Sequence, residues 1–406
     1  MSIVKRIRCT GIDESDKGIY LNEAFKLVEN FELREELINQ FNIDLDENIF
    51  INVKGAKVLV ESILNLESRI DKFDIDTEIK DIHISKFKNE GQIEIEVFNI
   101  SNSEVVKLYK SDKIAAVSAY SVRNDLLDGL YKADKFLSNL NRLEYKKLID
   151  INIEELEKLH INNLNKKKLR YVENESGELY IRAITSTNLY KDYNIAFSVF
   201  VTLYQLNILK SYGYLFEVEE FSFDESEVSV IFREMNKSKI VNESVSLSFA
   251  LELTNSEIKS KAVKLNGSFI IQAKELSIHT KNDIKTTVLS IGHGNTIRKA
   301  KEYLKNLPDN IDNYIMNSID AYLSIGKIKN FEDIQNFLLS KLNKSNNLEI
   351  KKYNLEFKTI LKGRVKSLVE LLDKMGKLEK LIKDEDIKAI EFVREKIYQS
   401  IINKGR

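Results

Sequence analysis

A chain with one cysteine (Cys9), one proline (Pro308) and no tryptophan lacks the raw material for several kinds of chemistry. A single thiol excludes a disulfide framework, a Cys-x-x-Cys redox pair and a cysteine-based zinc site. The four histidines, His83, His160, His279 and His293, fall in separate segments without paired ligand spacing, which argues against a multi-histidine metal centre. Neither a Walker A loop nor Gly-x-Gly-x-x-Gly occurs, and no serine sits in a nucleophile elbow. No cofactor, metal site or catalytic residue is expected. With 14 glycines in 406 residues, collagen-like and flexible-linker compositions are excluded too, and regular elements joined by short polar turns are expected.

Long apolar runs are also missing. The basic N terminus has no apolar stretch behind it, so a secretory signal is not expected. The longest uncharged run, Tyr193 to Leu209, is interrupted by Asn194, Ser198, Thr202, Gln205 and Asn207. It falls short of the roughly 20 apolar residues of a membrane span and reads as a buried helix. A cytoplasmic protein with no membrane partner is expected.

What is present is enough for real cores: 43% of residues are hydrophobic and 31% charged. The length predicts two or three domains. The net charge of −1 hides an uneven distribution. From Lys341 to Arg406, 17 Lys/Arg stand against 10 Asp/Glu, while the rest carries 45 against 53. A basic tail on an acidic body fits either a nucleic-acid or acidic partner, or a helical bundle with a solvated lysine-rich face.

Periodicity divides the chain. Residues 1–111 read as a small α+β unit, with helices near 20–41 and 57–66, a hairpin turning at Asn89-Glu90-Gly91, and a further strand at Val105 to Tyr109. Residues 112–168 read as a helical connector. Residues 169–295 read as a central antiparallel α+β domain: a hairpin across Ser176-Gly177, the buried helix, a second hairpin turning at Asp224 to Ser226, and a strand alternating at Val245, Leu247, Phe249, Leu251 and Leu253. Further strands are expected at Ala262–Leu265, Phe269–Ala273 and Thr286–Ile291. Residues 296–406 read as all-helical, with Pro308 between two helices and one helix over 354–381. Its short heptad seam, Leu361, Val365, Leu368, Leu372 and Met375, fits a helical hairpin with Ile387, Ile390 and Val393, or self-association. The fold class expected is α+β.

Three polar clusters fall at strand ends or strand-to-helix turns. Arg182 leads toward Ser186 and Tyr190, and its planar fork suits a phosphate or carboxylate, or a glutamate on the next hairpin. Asn255-Ser256-Glu257 ends the best strand and reads as ligand groups or an ordinary turn. Gly292-His293-Gly294-Asn295-Thr296 opens a helix carrying Arg298 and Lys299, which fits an anion site or a simple N-cap. The carboxylates from Glu217 to Glu227 read as solvated on a hairpin tip.

Arg182-Ala-Ile-Thr-Ser with Tyr190, then Thr254-Asn-Ser-Glu257, then Ile291-Gly-His-Gly294 resemble, in that order, motifs of the phage- and plasmid-borne family called domain of unknown function 932. The likeness spans about residues 169–300. Where that family carries glycines after Asn-Ser-Glu, this chain has Lys259, Ser260 and Lys261, and the family's downstream Cys-Asn pair has only Asn266-Gly267 as an echo. The resemblance implies a mobile-element setting and no particular reaction. The expected function is binding of a nucleic acid or other anionic ligand where Arg182, Ser186, Tyr190, Asn255, Ser256, Glu257, His293, Gly294, Asn295 and Arg298 converge. The alternatives are an assembly or inhibitor protein acting through its C-terminal helices, and a metal-dependent hydrolase using Glu257 and His293.

Overall fold

The computed structural model describes residues 3–11, 15–88, 91–187, 190–258, 262–273, 276–281, 287–346, 348–382 and 387–404. Asn89-Glu90, residues 188–189, Lys259-Ser260-Lys261, Thr286 and the side chain of Ile387 lie outside them.

The chain opens with a short strand, β1 (Ile7–Thr10), and reaches a helix, α1 (Ala56–Glu67). Next come β2 (Asp71–Glu78), β3 (Ile82–Phe87) and β4 (Ile93–Val97). The segment expected as a further strand is a helix instead, α2 (Ser103–Tyr109). Asn102 decides the matter by capping it, its side chain accepting from the amides of Glu104 at 3.1 Å and Val105 at 3.4 Å. The region expected to be wholly helical begins with a strand, β5 (Ile114–Ser118), and only then gives α3 (Asp134–Arg142) and α4 (Lys146–Lys158). Ile114, Ala116 and Ser118 alternate inward on β5, a period-two signal too short to stand out beside the helices.

The hairpin β6 (Lys166–Glu173) and β7 (Leu179–Ser186) completes a six-stranded sheet, ordered β2-β6-β7-β5-β4-β3. Its strands therefore pair with the N-terminal ones, β7 running parallel to β5. Leu169, Tyr171, Ile181 and Ile184 explain this, since they fill the same core as Ile75, Ile95 and the inner faces of α3 and α4. Lys72, Asp74, Arg170 and Arg182 lie on the sheet's other face.

After that face comes α5 (Ile195–Leu209), buried nearly all round as its composition predicts. Then follow β8 (Phe216–Phe223), β9 (Glu227–Glu234), β10 (Val245–Ser256), β11 (Val263–Ala273), β12 (Leu276–His279) and β13 (Thr287–Ile291). With β1 and the short strand Lys239–Asn242 they form an eight-stranded antiparallel sheet. The two strands expected at 262–273 are one continuous strand. Gly267 stays in it because the Tyr314 ring occupies the space a side chain would need: a Cβ there would lie 2.5 Å from Tyr314 Cε1.

The C-terminal part is helical: α6 (Ile297–Lys305), α7 (Leu307–Leu323), α8 (Phe331–Asn343), α9 (Leu368–Leu381) and α10 (Ile387–Lys404). Pro308 sits in the first turn of α7, where its missing amide costs nothing. The helix expected over 354–381 is broken: a short helix, Asn354–Ile360, ends first, Gly363 takes φ +85°, and Ser367 caps α9. The five seam residues are buried within the chain itself, as are Ile390 and Val393. The apolar face of the large sheet, including Phe249 and Leu251, packs on α5 and α7, and its polar face lies under α10. The protein is an α+β fold, and among the described residues no helix is long and apolar enough to cross a membrane.

A side chain at position 267 has no room beside Tyr314. Gly267→Val is expected to lower unfolding free energy by about 1–3 kcal/mol, the range for overpacking, read by urea denaturation, with Gly129→Ala, where an added Cβ meets nothing closer than 3.7 Å, as the control.

Candidate functional site

The seam between the two sheets gathers most of the polar residues singled out in the sequence. Three local devices aim them there. A bulge in the β6–β7 pairing, where Arg170 faces Ala183 and Tyr171 faces Ile181, leaves Arg182 as an extra residue turned away from the small core. The end of β10 is fixed by Glu257 N–H donating to Ser226 O at 2.8 Å, which carries the Glu257 side chain into the seam. Asn194 caps α5 by accepting from Phe197 N at 2.8 Å, so the positive end of that helix points at the same place.

There the Glu257 carboxylate, fully buried, meets Arg182 Nη1 at 2.5 Å and Lys72 Nζ at 3.3 Å, and accepts from Ile195 N–H at 2.9 Å. Its backbone carbonyl accepts from Arg170 at 3.0 Å and from the Tyr190 hydroxyl at 3.2 Å. Arg170, also buried, is ion-paired with Asp192 at 2.6 Å and Asp74 at 3.3 Å. Burial alone would raise the Glu257 pKa, but Lys72, Arg182 and Arg170 outweigh it and hold the carboxyl well below the usual carboxylate range. Glu67 beside them shows the opposite balance, its pKa raised by burial more than Lys72 lowers it.

The other expected residues divide. Asn255 donates to the Tyr193 and Asn194 carbonyls at 2.7 and 3.1 Å, tying β10 to the start of α5. Ser256 donates its amide to the Asn255 side chain at 2.9 Å. His293 stacks on Tyr190 at 4.6 Å, and the Arg170 guanidinium lies over that ring at 5.4 Å. Asn295 accepts from Tyr193 through its carbonyl at 2.6 Å, and Gly294 is exposed. Two residues stand apart. Ser186 pairs with Lys167 at the end of β7, and Arg298 points to solvent beside Glu302. Glu257 and His293 do not face a common metal position: the carboxylate is taken up by cations, and His293 Nδ1 lies 3.1 Å from the Lys191 carbonyl.

A second polar cluster was missed because its glutamates read as solvated. Glu220, Asp224 and Glu225 are in fact buried. The signal was the spacing of apolar residues on β8: Phe216 and Val218, then Phe221 and Phe223, a gap of three instead of two. That gap marks a bulge between Val218 and Glu220, which turns both Glu219 and Glu220 toward the polar face. Arg394 from α10 lies 2.5 Å from Glu220 and also bonds Glu379, and Arg8 from β1 approaches Glu220 at 3.0 Å. His279 sits 3.4 Å from both Glu219 and Glu220, beside a cavity of about 370 Å³. Among the described residues, Glu220, His279 and Glu379 are the group whose ligand atoms lie close enough for a metal, within 4.8 Å of one another. The Arg394 guanidinium bridges the two carboxylates and already supplies the positive charge there.

Despite burial, Arg394, His279 and Arg8 hold the Glu220 carboxyl far below its ordinary range. Burial and Arg394 oppose protonation of His279, but its bonds to Glu219 and Glu220 prevail and raise its pKa. The two signs oppose each other. Depressed Glu220 and Glu257 contribute stability that is full above their ordinary values of about 4.3 and is lost as pH falls through their lowered ones. Raised His279 contributes stability that is full below about 6.5 and is lost as pH rises through its folded value. Thermal melts should therefore show wild type losing stability from pH 6 to 9 relative to His279→Asn; parallel profiles would contradict this. Glu257→Gln leaves buried Arg182 and half-buried Lys72 without their carboxylate and is expected to cost about 3–5 kcal/mol in chemical denaturation, with a shallower acid slope than wild type. Compared with known protein families, curated proteins and solved structures, the chain matches none, so its function is argued from these two clusters and the surfaces around them.

Proposed function

We propose that this chain is a binding protein of mobile-element type that holds single-stranded nucleic acid along the outer rim of the Glu257 seam. The observation that carries the reading is the half-buried Tyr190–His293 stack beside the start of α6. Lys191 adjoins it, its amide donating to the His293 carbonyl at 2.6 Å. The first turn of α6 then presents exposed Arg298 and Lys299 and no acid. Two cations at the positive end of a helix dipole are unfavourable for a helix alone and become favourable when an anion docks there. Aromatic faces flanked by basic side chains are the usual means of holding single strands, the rings taking bases and the cations taking phosphates.

In this reading the buried residues do not touch the ligand. Arg182, Asn255 and Glu257 are spent on one another and on α5, and they position the loop that carries Tyr190 and Lys191. The ordered likeness of the three motifs to domain of unknown function 932 supports the mobile-element setting. A partner-binding role is the second reading, supported by the exposed apolar side chains of residues 136–164 and not by the C-terminal seam, which is buried.

Fluorescence anisotropy with single- and double-stranded oligonucleotides across a salt series tests the proposal. Single strands are expected to bind more tightly, with log affinity falling by roughly 2–4 per decade of salt. Arg298→Glu with Lys299→Glu should reduce that slope by about 1–2. Tyr190→Ala should weaken binding by about 1–3 kcal/mol with the slope unchanged. Absence of binding at low salt, or a slope near zero, ends the nucleic-acid reading.

A further inference from the structure

The helical layer over the small sheet has two apolar faces where a surface helix needs one. Inward, α4 buries Ile149 and Ile153. Outward, Leu148 and Ile151 stand exposed on the same helix, with Leu143 and Tyr145 just before it and Leu159 just after. Phe136 on α3 and Ile161 and Leu164 beyond α4 extend the patch, and these eight side chains are between 47% and 78% exposed. Together they present on the order of 800 Å² of residue surface. Summed, that is about one partner's share of a standard interface.

The charges on α4 say what covers it. Lys146 and Lys147 open the helix, with no acid in its first turn, and Glu154 and Glu155 lie in its second half. This order opposes the helix dipole, apart from Lys158 in the last turn. Exposed intrahelical pairs of Lys158 with Glu154 and Glu155, at 3.1 and 2.8 Å, offset little of it. An identical helix laid antiparallel brings the two ends into register.

We propose that α4 is the two-fold contact between two copies of this chain. Centred on Ile151 against the partner's Ile151, antiparallel pairing sets Leu143 against the partner's Leu159 and Glu144 against the partner's Lys158. It also sets Lys147 against the partner's Glu155. Each contact occurs twice, as a self-complementary two-fold interface requires. The apolar stripe forms the centre and the opposite charges form the rim, the usual anatomy of a specific interface. The contact lies on the face of the small sheet opposite Lys72, Arg170 and Arg182, so two copies would present both Glu257 seams outward.

Sedimentation equilibrium of the full chain tests this. Wild type is expected to be a dimer at micromolar concentration, and a monomer at tens of micromolar overturns the proposal. Ile151→Asp, at an exposed position, should give a monomer with the far-UV circular dichroism of the wild type and a melting temperature that no longer rises with protein concentration. Lys147→Glu alone and Glu155→Lys alone should each weaken the dimer by roughly a hundredfold, two like-charge contacts replacing two attractive ones. Mixing those two variants should restore a dimer containing one of each. A dimer that survives both Ile151→Asp and Lys147→Glu, or a mixture that stays monomeric, overturns the antiparallel contact.

Discussion

A carboxylate removed from water must be surrounded by positive charge, and Glu257 imposes that demand on four separate stretches of chain. Lys72 comes from β2, Arg182 from β7, the Ile195 amide from the head of α5, and Glu257 itself from the end of β10. No two of these belong to one hairpin. Satisfying the charge therefore sets how the six-stranded sheet, the buried helix and the eight-stranded sheet sit on one another. Arg182 reaches it only because an extra residue interrupts the β6–β7 register, and a one-residue change of register would send side chains to the opposite face.

How much of this was legible in the sequence depended on whether a signal was local. The alternation from Val245 to Leu253 and the apolar run of α5 were local, and both elements appear where the pattern put them. Which hairpin pairs with which sheet was not local. The strand pair 166–186 reads equally well as the start of the central domain, and only the shared core of Leu169 and Tyr171 with Ile75 decides the question. The three polar clusters were visible as residue types at strand ends. Their burial was not, because nothing in Arg182 or Glu257 alone states that each is the other's counter-charge. The cluster around His279 was missed for a similar reason: its cations, Arg8 and Arg394, lie at opposite ends of the chain.

The charge distribution also changes meaning once folded. The basic C-terminal tail is not simply a solvated surface, since Arg394 is buried on Glu220 and Glu379 and draws α10 onto the polar face of the sheet. Part of the tail's surplus thus balances acids of the acidic body. Near neutrality of the whole chain reflects internal pairing as well as chance.

The pairing of β1 with β8 has a consequence for synthesis. Residues 7–10 find their partners at 220–223, more than two hundred residues later. At ribosomal rates of about 5–20 residues per second, β1 waits roughly 10–40 s with both edges unpaired. An apolar strand left that long is a template for pairing between nascent chains. In this stretch Ile3, Val4 and Ile7 are interleaved with Lys5, Arg6 and Arg8. Arg6 and Arg8 later bind Asp224 and Glu220, but during the wait all three cations repel a second copy of the same segment. The arginines that lock the strand home once residues 220–224 emerge are thus the ones that keep it solitary until then.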